Sequence, residues 1–570
     1  MVGEDAYPLR GPVHIDEMRP RPFPGASTFS RRRTLEPAAG YRRQSPVPPN
    51  PQVPSPPVTG SIGTFVLSGI DAVPCEVEAD LSHRNVPSTS IVGLPDAAVR
   101  ESSERVRTAI LNSGFEYPFG RVVVNLAPAD LRKEGPVYDL PIAVATLVVG
   151  GTIDLEARES LDPGRFLFAG ELALDGRLRP VRGVTSLALL ARRRGMKGVV
   201  VPSENAREAA AVDGVSAFGA ETLADVVGLL NGHGTVAASP PVDVDAMLAA
   251  ATAELDFGDI RGQEGAKRAA TIAAAGGHNL LLVGPAGSGK TMMARALPGI
   301  LPPLTREEAL EVTRIHSAVG AVPRGAPLVV HRPFRSPHHT SSTSAIVGGG
   351  AVPRPGEVSL AHHGVLFLDE LPEFARPALE ALREPLEDGF VTVSRVHGTT
   401  RFPARPLLVA AMNPTARGDQ AGGEQGVRDR RHYLAKVSGP LLDRIDLHVE
   451  VGAVPFGELA GRERGTDTAT LAARVSSARK IGAARQGGRV NAALRGKDLD
   501  RFAAMETTAR ELLERALEQL GLSARAYDKI RRVARTIADL ETIATGKEVV
   551  TLDARHVAEA IQYRRLDRER

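Results

Sequence analysis

The chain has 570 residues, too many for one hydrophobic core, so about two to four domains are expected. Hydrophobic residues make up 42% of it, as in globular proteins, and 70 basic against 67 acidic residues leave a formal charge of +3. The first 60 residues carry that excess by themselves, with eight arginines and five acidic residues. The balanced remainder excludes nucleic-acid binding through a general positive field, so any such contact needs a local patch.

Cysteine usage and hydropathy indicate the compartment. A single cysteine, Cys75, excludes internal disulfides and cysteine-based metal sites, which fits a reducing environment. The N-terminus lacks a signal-peptide pattern, and the longest apolar stretch, residues 141–150, is too short to cross a bilayer. We therefore expect a cytoplasmic protein without a membrane segment.

The first segment, residues 1–60, is rich in proline and arginine. It holds 13 of the 43 prolines and the triplet Arg31 to Arg33, a composition that cannot build a core. We predict a disordered tail. It is either a solvated extension, which a mis-set start codon would also produce, or an arginine-rich arm that touches nucleic acid.

Residues 61–232 show the alternating elements of a compact α+β or α/β domain. Residues 63–81 alternate apolar and polar side chains as strands do, and 95–114 predict a helix with Asp96 near its start. A buried strand, an apolar helix, a hairpin turning at Asp175 and Gly176, and a strand–helix pair follow at 121–128, 139–151, 165–181 and 197–212.

Three further segments complete the chain. Residues 233–256 have the composition of a linker, and a second α/β domain is predicted over 257–455. The apolar spacing of residues 456–570 is helical, most clearly in 524–543 and 552–566.

The strongest motif is a phosphate-binding loop. The apolar strand Leu280 to Val283 runs into a glycine-rich loop and then a helical stretch, the context that validates a P-loop. Its backbone amides are expected to wrap phosphate oxygens, with Lys290 on the β- and γ-phosphates and the Thr291 hydroxyl on Mg²⁺. The predicted ATP-binding residues are Gly284, Pro285, Ala286, Gly287, Ser288, Gly289, Lys290 and Thr291.

A second motif supplies the acidic partners about 80 residues downstream. Asp369 and Glu370 stand at the end of the apolar strand Val365 to Leu368, so Asp369 is predicted to hold Mg²⁺ and Glu370 to act as general base. Asn413 ends a third apolar strand and either orients the attacking water or caps a turn before Pro414.

These motifs resemble the ComM/YifB family of Mg-chelatase-like AAA+ ATPases. The resemblance rests on "GPAGSGKT", "GVLFLDELPEF", "AAMNP", "SGPLLDRIDLHVEV" and "RPFRSPHHTSSTSAIVGGG", and it covers residues 61–570. It implies an N-terminal α+β domain like that of Lon proteases (a ribosomal S5-like fold), an AAA+ P-loop α/β domain and a helical C-terminal lid. It also implies a homo-oligomeric ring, usually a hexamer, with ATP between neighbours.

The resemblance assigns arginines to this shared site. Arg444 matches an arginine finger that would reach the neighbour's ATP, unless it pairs locally with Asp443 or Asp446. Arg525 matches the lid arginine that senses the γ-phosphate, with Arg532 as the second candidate. Residues 259–269 resemble the segment that flanks adenine.

Two insertions bear on the substrate. Residues 390–406 predict a hairpin that points into the pore in this clade, where Arg395, His397 and Arg401 would contact DNA phosphates; an ordinary solvated hairpin is the alternative. The histidine pairs 338–339 and 362–363 are expected to be structural or pore-loop residues. Adjacent strand residues point to opposite faces, and no acidic residue stands nearby at ligand spacing.

The first domain resembles a Lon protease without its catalytic dyad. Val137 stands where the family's serine follows a segment like Lys133 to Pro136, and Thr185 occupies the lysine position. Neither can supply a nucleophile or a base, so a retained scaffold is expected. The Cys-Pro-Cys-Gly cluster that often follows Asn-Pro in the family is missing, which excludes zinc or an iron–sulfur centre there.

The leading hypothesis is an ATP- and Mg²⁺-dependent ring motor on DNA. The ComM branch implies branch migration or remodelling of recombination intermediates in natural transformation. The alternative is protein remodelling as in metal-chelatase motors, which requires a large partner subunit. A Lon-like peptidase is disfavoured by Val137 and Thr185.

Overall fold

The computed structural model describes residues 60–82, 88–154, 161–395, 398–415, 433, 435–437, 439–455 and 464–564. The expectations for the tail before residue 60, for His397 and for the loop at 416–432 lie outside the described residues. None of the helices in these ranges is long and apolar enough to cross a bilayer.

The N-terminal region contains a seven-stranded mixed sheet in the order β3-β4-β2-β1-β5-β8-β9. Its central pairs β1–β2 and β2–β4 are antiparallel, and the outer pairs are parallel. The strands are β1 (Gly60–Ser68), β2 (Asp71–Ser82), β3 (Ser88–Val92), β4 (Arg121–Ala127), β5 (Phe166–Phe168), β8 (Gly198–Pro202) and β9 (Ser216–Ala220).

The predicted hairpin is confirmed as β6 (Glu171–Leu172) and β7 (Leu178–Arg179), a separate two-stranded sheet. Its turn holds Asp175 and Gly176, and Gly176 adopts a φ of 85°, which favours glycine at this point. Asp175 fixes the turn by accepting hydrogen bonds from the backbone and guanidinium of Arg177.

Helices cover both faces of the seven-stranded sheet because its strands alternate their apolar side chains. Ile62 and Val66 of β1 join one buried cluster with α1 and α2, while Phe65 joins a second cluster with α3 and α4. The helices are α1 (Ala97–Asn112), α2 (Asp139–Val149), α3 (Val184–Arg193), α4 (Ser203–Ala210) and α5 (Leu223–Leu230).

The predicted helix at 95–114 begins where the sequence indicated. Asp96 is the N-cap of α1, and its carboxylate accepts a hydrogen bond from the backbone N–H of Val99 at 2.8 Å. The predicted linker differs from the structure, because it contains α6 (Val244–Ala249). Val244 and Leu248, four residues apart, bury one face of this helix in a small cluster with Leu304 and Ala309.

The second region is built on a five-stranded parallel sheet in the order β11-β14-β17-β10-β18. Three of its strands are apolar throughout and fully buried, as expected for a parallel sheet with both faces covered. The strands are β10 (Leu280–Val283), β11 (Phe334–Arg335), β14 (Val365–Leu368), β17 (Leu407–Met412) and β18 (Leu447–Glu450).

Smaller elements surround this sheet. Two hairpins pair β12 (Gly348–Gly349) with β13 (Arg354–Pro355), and β15 (Phe390–Arg395) with β16 (Gly398–Pro403). The helices are α7 (Glu264–Gly276), α8 (Lys290–Ala296), α9 (Arg306–Val319), α10 (Thr343–Val347), α11 (Glu357–Leu360), α12 (Arg376–Ala381), α13 (Arg383–Asp388) and α14 (Gly439–Leu442).

The C-terminal region is helical, as its apolar spacing predicts. Its helices share one buried cluster with α7 and with Leu280, Phe367 and Val409 of the parallel sheet. They are α15 (Thr468–Gln486), α16 (Gly496–Phe502), α17 (Thr507–Leu520), α18 (Ala524–Thr545) and α19 (Ala554–Gln562). An ion pair of 3.3 Å between Lys529 and Asp446 also ties α18 to the sheet.

A buried carboxylate joins the region of the seven-stranded sheet to helix α9 beside the five-stranded sheet. Glu208 of α4 accepts hydrogen bonds from the Thr185 hydroxyl at 2.7 Å, the Thr185 backbone N–H at 2.8 Å and the Ser317 hydroxyl at 2.6 Å. Ser317 lies on α9 and also accepts, through its hydroxyl, a bond from the backbone N–H of Gly183. Thr185, which stands at the predicted position of the missing lysine, therefore takes part in a contact between these two regions.

We expect Glu208→Ala to destabilise the protein by about 2–5 kcal/mol, because three buried donors lose their acceptor. Glu204→Ala is the matched control, since Glu204 lies on the same helix, is 46% exposed and faces Arg324 at 3.9 Å. The midpoint Tm of the first thermal transition should fall by roughly 4 °C or more in the Glu208 variant. Equal Tm values for the two variants would contradict this account of the contact.

Candidate nucleotide site

The phosphate-binding loop connects β10 to α8 and has a backbone that requires its glycines. Gly287 and Gly289 adopt φ values of 77° and 89°, in the left-handed region. A Cβ atom at Gly284 would approach the carbonyl oxygen of Val451 to 2.1 Å. The predicted strand, loop and helix are therefore present, with the first residue of α8 at Lys290.

Lys290 is held inside this loop. Its side-chain nitrogen donates to the carbonyl oxygens of Gly284 at 2.7 Å and Pro285 at 2.8 Å, and it lies 3.3 Å from Asn413 Oδ1. Burial lowers the pKa of the Lys290 ammonium, and the Asp369 carboxylate opposes that shift. The side chain is thus placed on the loop where a phosphate would lie, together with Asn413 from the neighbouring strand.

The order of the strands brings the two predicted motifs together. Strand β17 lies between β14 and β10, so the ends of all three strands meet at the carboxyl edge of the sheet. The Thr291 hydroxyl donates to Asp369 Oδ2 at 2.9 Å. These two oxygens are a suitable pair of Mg²⁺ ligands, since Mg²⁺ prefers carboxylate and hydroxyl oxygen and keeps several waters.

The loop offers polar groups that fit a triphosphate. The Ser288 hydroxyl is buried and has no hydrogen-bond partner within the described ranges, and α8 presents its N-terminus to the same place. The segment predicted to flank adenine contacts this loop, because Gln263 donates to the carbonyl oxygens of Ser288 at 3.4 Å and Gly452 at 2.7 Å.

Glu370 has an unusual backbone conformation and a side-chain contact with a distant segment of the chain. Its φ of 53° lies in the left-handed region, which is uncommon for a residue other than glycine. The side chain is 54% exposed, and its Oε2 lies 2.9 Å from His339 Nδ1. Sequence reasoning missed this contact, because the two residues are 31 positions apart in the chain and no local pattern links them.

The two histidine pairs correct an expectation. We expected neighbouring rings to point apart and to lack acidic partners. The rings of His338 and His339 instead lie 4.2 Å apart between centroids, and those of His362 and His363 lie 3.9 Å apart. Both pairs lie outside strands, so the alternation of strand side chains does not apply to them.

The second pair converges on an acidic residue of α9. Glu311 lies 3.1 Å from His362 Nε2 and is hydrogen-bonded to His363 Nε2 at 3.2 Å, and the two imidazoles lower the pKa of its carboxyl. The backbone N–H of Arg405 donates to His362 Nδ1, which leaves the proton of the neutral ring on Nε2. In that tautomer Nε2 has no lone pair to offer a metal ion.

Arg444 lies at the opposite edge of the sheet from the phosphate-binding loop. It precedes β18, which runs parallel to β10, whereas the loop follows β10. Its guanidinium bonds to Glu387 and to the Pro440 carbonyl oxygen at 2.6 Å. The local partner of Arg444 is therefore Glu387, and the prediction of a local pair with Asp443 or Asp446 is wrong. Asp446 instead faces Lys529 and His278.

Arg525 and Arg532 share a cavity of about 790 Å³ with Arg444. Arg525 is exposed at the start of α18, while Arg532 is mostly buried, and burial lowers its pKa. The lining of this cavity contains no residue of the phosphate-binding loop. All three arginines are therefore directed away from the loop of their own chain.

The predicted hairpin at 390–406 is present as β15 and β16, and its two described arginines are exposed. Arg401 stacks over the Phe390 ring at 3.5 Å, and Arg395 donates to the Gly350 carbonyl oxygen at 3.0 Å. The third predicted contact, His397, lies outside the described residues. The hairpin contributes Val391 and Phe402 to a buried cluster that also holds Ile70 from the N-terminal domain.

The surroundings of Lys133, Val137 and Cys75 are apolar. Lys133 is buried and donates to the Pro128 carbonyl oxygen, while Val137 packs against both apolar clusters of the domain. Burial lowers the pKa of Lys133 and raises that of Cys75 to about 11. No thiolate nucleophile is therefore available at Cys75 near neutral pH.

The parallel sheet and its phosphate-binding edge define a P-loop nucleoside triphosphatase. Family profiles described as magnesium chelatase subunit ChlI match residues 256–459 and 77–205, and a profile for the C-terminal part of that subunit matches 465–564.

Two relatives make the assignment more specific. The chain is 44% identical to the YifB protein of Salmonella typhimurium over 510 residues, which cover 89% of this chain and 97% of that protein. It is also 44% identical to the competence protein ComM of Haemophilus influenzae over 508 residues, 88% of this chain and 96% of that protein. The chain belongs to the ComM/YifB family of Mg-chelatase-like AAA+ ATPases.

A shorter similarity concerns RuvB of Mycolicibacterium smegmatis, a subunit of the Holliday junction branch migration complex. The identity is 32% over 141 residues, which cover 22% of this chain and 40% of that protein.

Proposed function

We propose that the chain binds ATP with Mg²⁺ at the carboxyl edge of the five-stranded sheet and hydrolyses it there. The proposal rests on the 2.9 Å contact between Thr291 and Asp369, which joins the phosphate-binding loop to the acidic strand. Bound Mg²⁺ would supply charge neutralisation at the phosphate oxygens. Glu370 takes the proton of the attacking water, and Asn413 orients that water beside Lys290.

The complete site is formed by two copies of the chain. Arg444 lies just before β18, which runs parallel to β10, whereas the phosphate-binding loop follows β10. The length of these strands, roughly 13 Å, therefore separates Arg444 from the loop of its own chain. In a ring, each copy contacts the next through two different surfaces. Such a contact brings the amino ends of the strands in one copy to the carboxyl ends of the strands in its neighbour. Arg444 then acts as arginine finger, and Arg525 or Arg532, on the C-terminal helices that form the lid, senses the γ-phosphate.

We further propose DNA as the substrate of the ring, in the remodelling or branch migration of recombination intermediates. Three points support it: the exposed arginines of the β15–β16 hairpin, the competence relative ComM, and the partial similarity to RuvB. The N-terminal domain is, in this proposal, a Lon-like scaffold that braces the hairpin through Ile70. A role in transformation follows for this chain only if the DNA activity is present.

The test is ATP turnover measured with a panel of DNA shapes. We expect branched or single-stranded DNA to accelerate phosphate release, and the acceleration to weaken as salt is raised. An ATPase that ignores every DNA, and that a protein partner accelerates, would replace the DNA motor with a protein-remodelling motor. Hydrolysis of casein would support a peptidase instead.

The double substitution Arg395→Ala/Arg401→Ala should lower DNA affinity by about tenfold or more, because two cations leave the hairpin. The slope of log affinity against log salt should become shallower by about one to two units in fluorescence anisotropy with labelled DNA. Arg383→Ala is the control, since Arg383 is an exposed arginine of α13 that pairs with Glu380. Equal DNA affinity and equal salt slope in the hairpin variant and the wild type would place the DNA contact elsewhere.

A further inference from the structure

The short segment between α14 and β18 carries Arg444 and is held by its backbone. Asn279, directly before β10, donates its side-chain amide to the Arg444 carbonyl oxygen at 3.1 Å. The Asn279 carbonyl oxygen accepts hydrogen bonds from the backbone N–H groups of Asp446 and Leu447, both at 3.0 Å. The segment is thus bound to the amino end of the strand that leads into the phosphate-binding loop.

A lysine from the C-terminal helices also holds this segment. Lys529 of α18 donates to the Ile445 carbonyl oxygen at 3.1 Å, and its ammonium lies 3.3 Å from Asp446 Oδ1. The side chains of Lys529 and Asp446 are both 10% exposed, so water and salt screen this ion pair little. Arg564, after α19, donates to the same carbonyl oxygen at 2.6 Å. Two cations of the helical region therefore fix the residue next to Arg444.

Lys529 lies on the same face of α18 as two arginines. The spacing of Arg525, Lys529 and Arg532, four and then three residues, places them on one side of the helix. All three line the cavity that also contains Arg444. Arg525 is exposed, and the buried Nε of Arg532 has no hydrogen-bond partner within the described ranges. This face of α18 thus offers two guanidinium groups to the cavity and is anchored by the lysine between them.

We propose that Lys529 is a positioning residue for Arg444. It ties the segment of Arg444 to α18, so that the arginine finger and the arginines of α18 meet the triphosphate of the neighbouring copy as one unit. Lys529 acts through the backbone of Ile445 and the carboxylate of Asp446 rather than on the nucleotide. The proposal rests on the proposed function, in which ATP lies between two copies and Arg444 is the finger.

The first test is ATP turnover in variants of position 529. Lys529→Met keeps the length of the side chain but removes the ammonium, so kcat should fall by roughly 10–10²-fold, as expected when a catalytic group is displaced by about 1 Å. The KM for ATP should stay close to that of the wild type, because the finger stabilises charge that develops during the reaction. Lys529→Arg keeps the charge and the donors and should recover most of the rate.

Arg531→Met is the matched control. Arg531 is a buried cation of the same helix, but it bonds to Asp500 at 2.9 Å and to the Leu499 carbonyl oxygen at 3.2 Å, inside the helical region. If Lys529 only stabilised the fold, the two Met variants would lose turnover to the same extent below their melting temperatures. We expect Arg531→Met to keep a kcat within about twofold of wild type under those conditions.

The second test mixes subunits, because Lys529→Met leaves the phosphate-binding loop of its own chain intact. Lys290→Ala subunits contribute correctly placed arginines, so a 1:1 mixture of these two variants should reach about a quarter of wild-type turnover. Arg444→Ala subunits contribute no finger, so their mixture with Lys529→Met should show only the mean turnover of the two separate proteins.

An unchanged kcat in Lys529→Met would overturn the proposal. A slow Lys529→Met variant that Lys290→Ala subunits do not restore, although they restore Arg444→Ala, would overturn it as well. If Lys290→Ala restores neither variant, the site shared between copies fails, and the proposed function with it. The double variant Lys529→Met/Asp446→Asn removes both buried charges and repeats the comparison if the single variant melts early.

Discussion

Replacing Lys290 by alanine should reduce ATP turnover by about 10²–10³-fold or more, because the site loses the one cation inside its phosphate-binding loop. The Lys290 ammonium is 7% exposed and makes contacts of 2.7–2.8 Å to two loop carbonyl oxygens, so it is fixed before any ligand arrives. Burial lowers the pKa of the Lys290 ammonium, and the Asp369 carboxylate opposes that shift. The loss is therefore one of charge placed on the β- and γ-phosphates.

The measurement is phosphate release at saturating ATP, together with binding of a fluorescent ATP analogue. Lys480→Ala is the control, since Lys480 is exposed on α15 and lies in no part of the proposed site. Alanine at position 290 also removes the only side chain that bonds these carbonyl oxygens within the described ranges. Thermal melting of the variant therefore shows whether the fold or only the site is damaged. Phosphate release within about twofold of wild type would show that the ATP site lies elsewhere.

The nucleotide site could be predicted from sequence because each of its parts is local. An apolar strand, a glycine-rich loop and a helix follow one another within about 20 residues, and an acidic pair directly ends another apolar strand. The strand order that brings Thr291 to Asp369 then follows from the rules for parallel sheets. Residues with a backbone or spacing requirement, such as Gly287 and Gly289, are visible in the sequence for the same reason.

Contacts between distant segments could not be predicted in this way. The partner of Arg444 is Glu387 on α13, whereas the sequence suggested Asp443 or Asp446. The contact between Glu370 and His339 was not indicated by any local pattern. Thr185 shows the same limit. The sequence analysis treated Thr185 only as the position where a lysine is missing. In the structure its hydroxyl donates to Glu208, which also accepts from Ser317 of α9.

Replacing Arg444 by alanine should lower turnover by about 10³–10⁵-fold, the range measured for arginine fingers. The variant should fold, because the Arg444 side chain bonds only to Glu387 and to a carbonyl oxygen of its own helix α14 among the described residues. Arg444→Lys should stay nearly as slow, since an ammonium cannot present the planar fork of donors that a guanidinium offers to phosphate oxygens. The nucleotide affinity should fall much less than the rate, because the finger stabilises charge that develops during the reaction.

If two copies share the site, mixing the Lys290→Ala and Arg444→Ala variants should restore part of the activity. A Lys290→Ala subunit keeps its arginine and an Arg444→Ala subunit keeps its loop, so the two inactive proteins complement each other wherever they meet in the productive order. With random 1:1 assembly about a quarter of the contacts are complete, and turnover should recover to roughly that fraction of wild type. The double variant Lys290→Ala/Arg444→Ala supplies neither part and should rescue neither single variant. Mixed rings that co-purify through a tag on one variant, yet release no phosphate, would mean that Arg444 serves its own subunit or none.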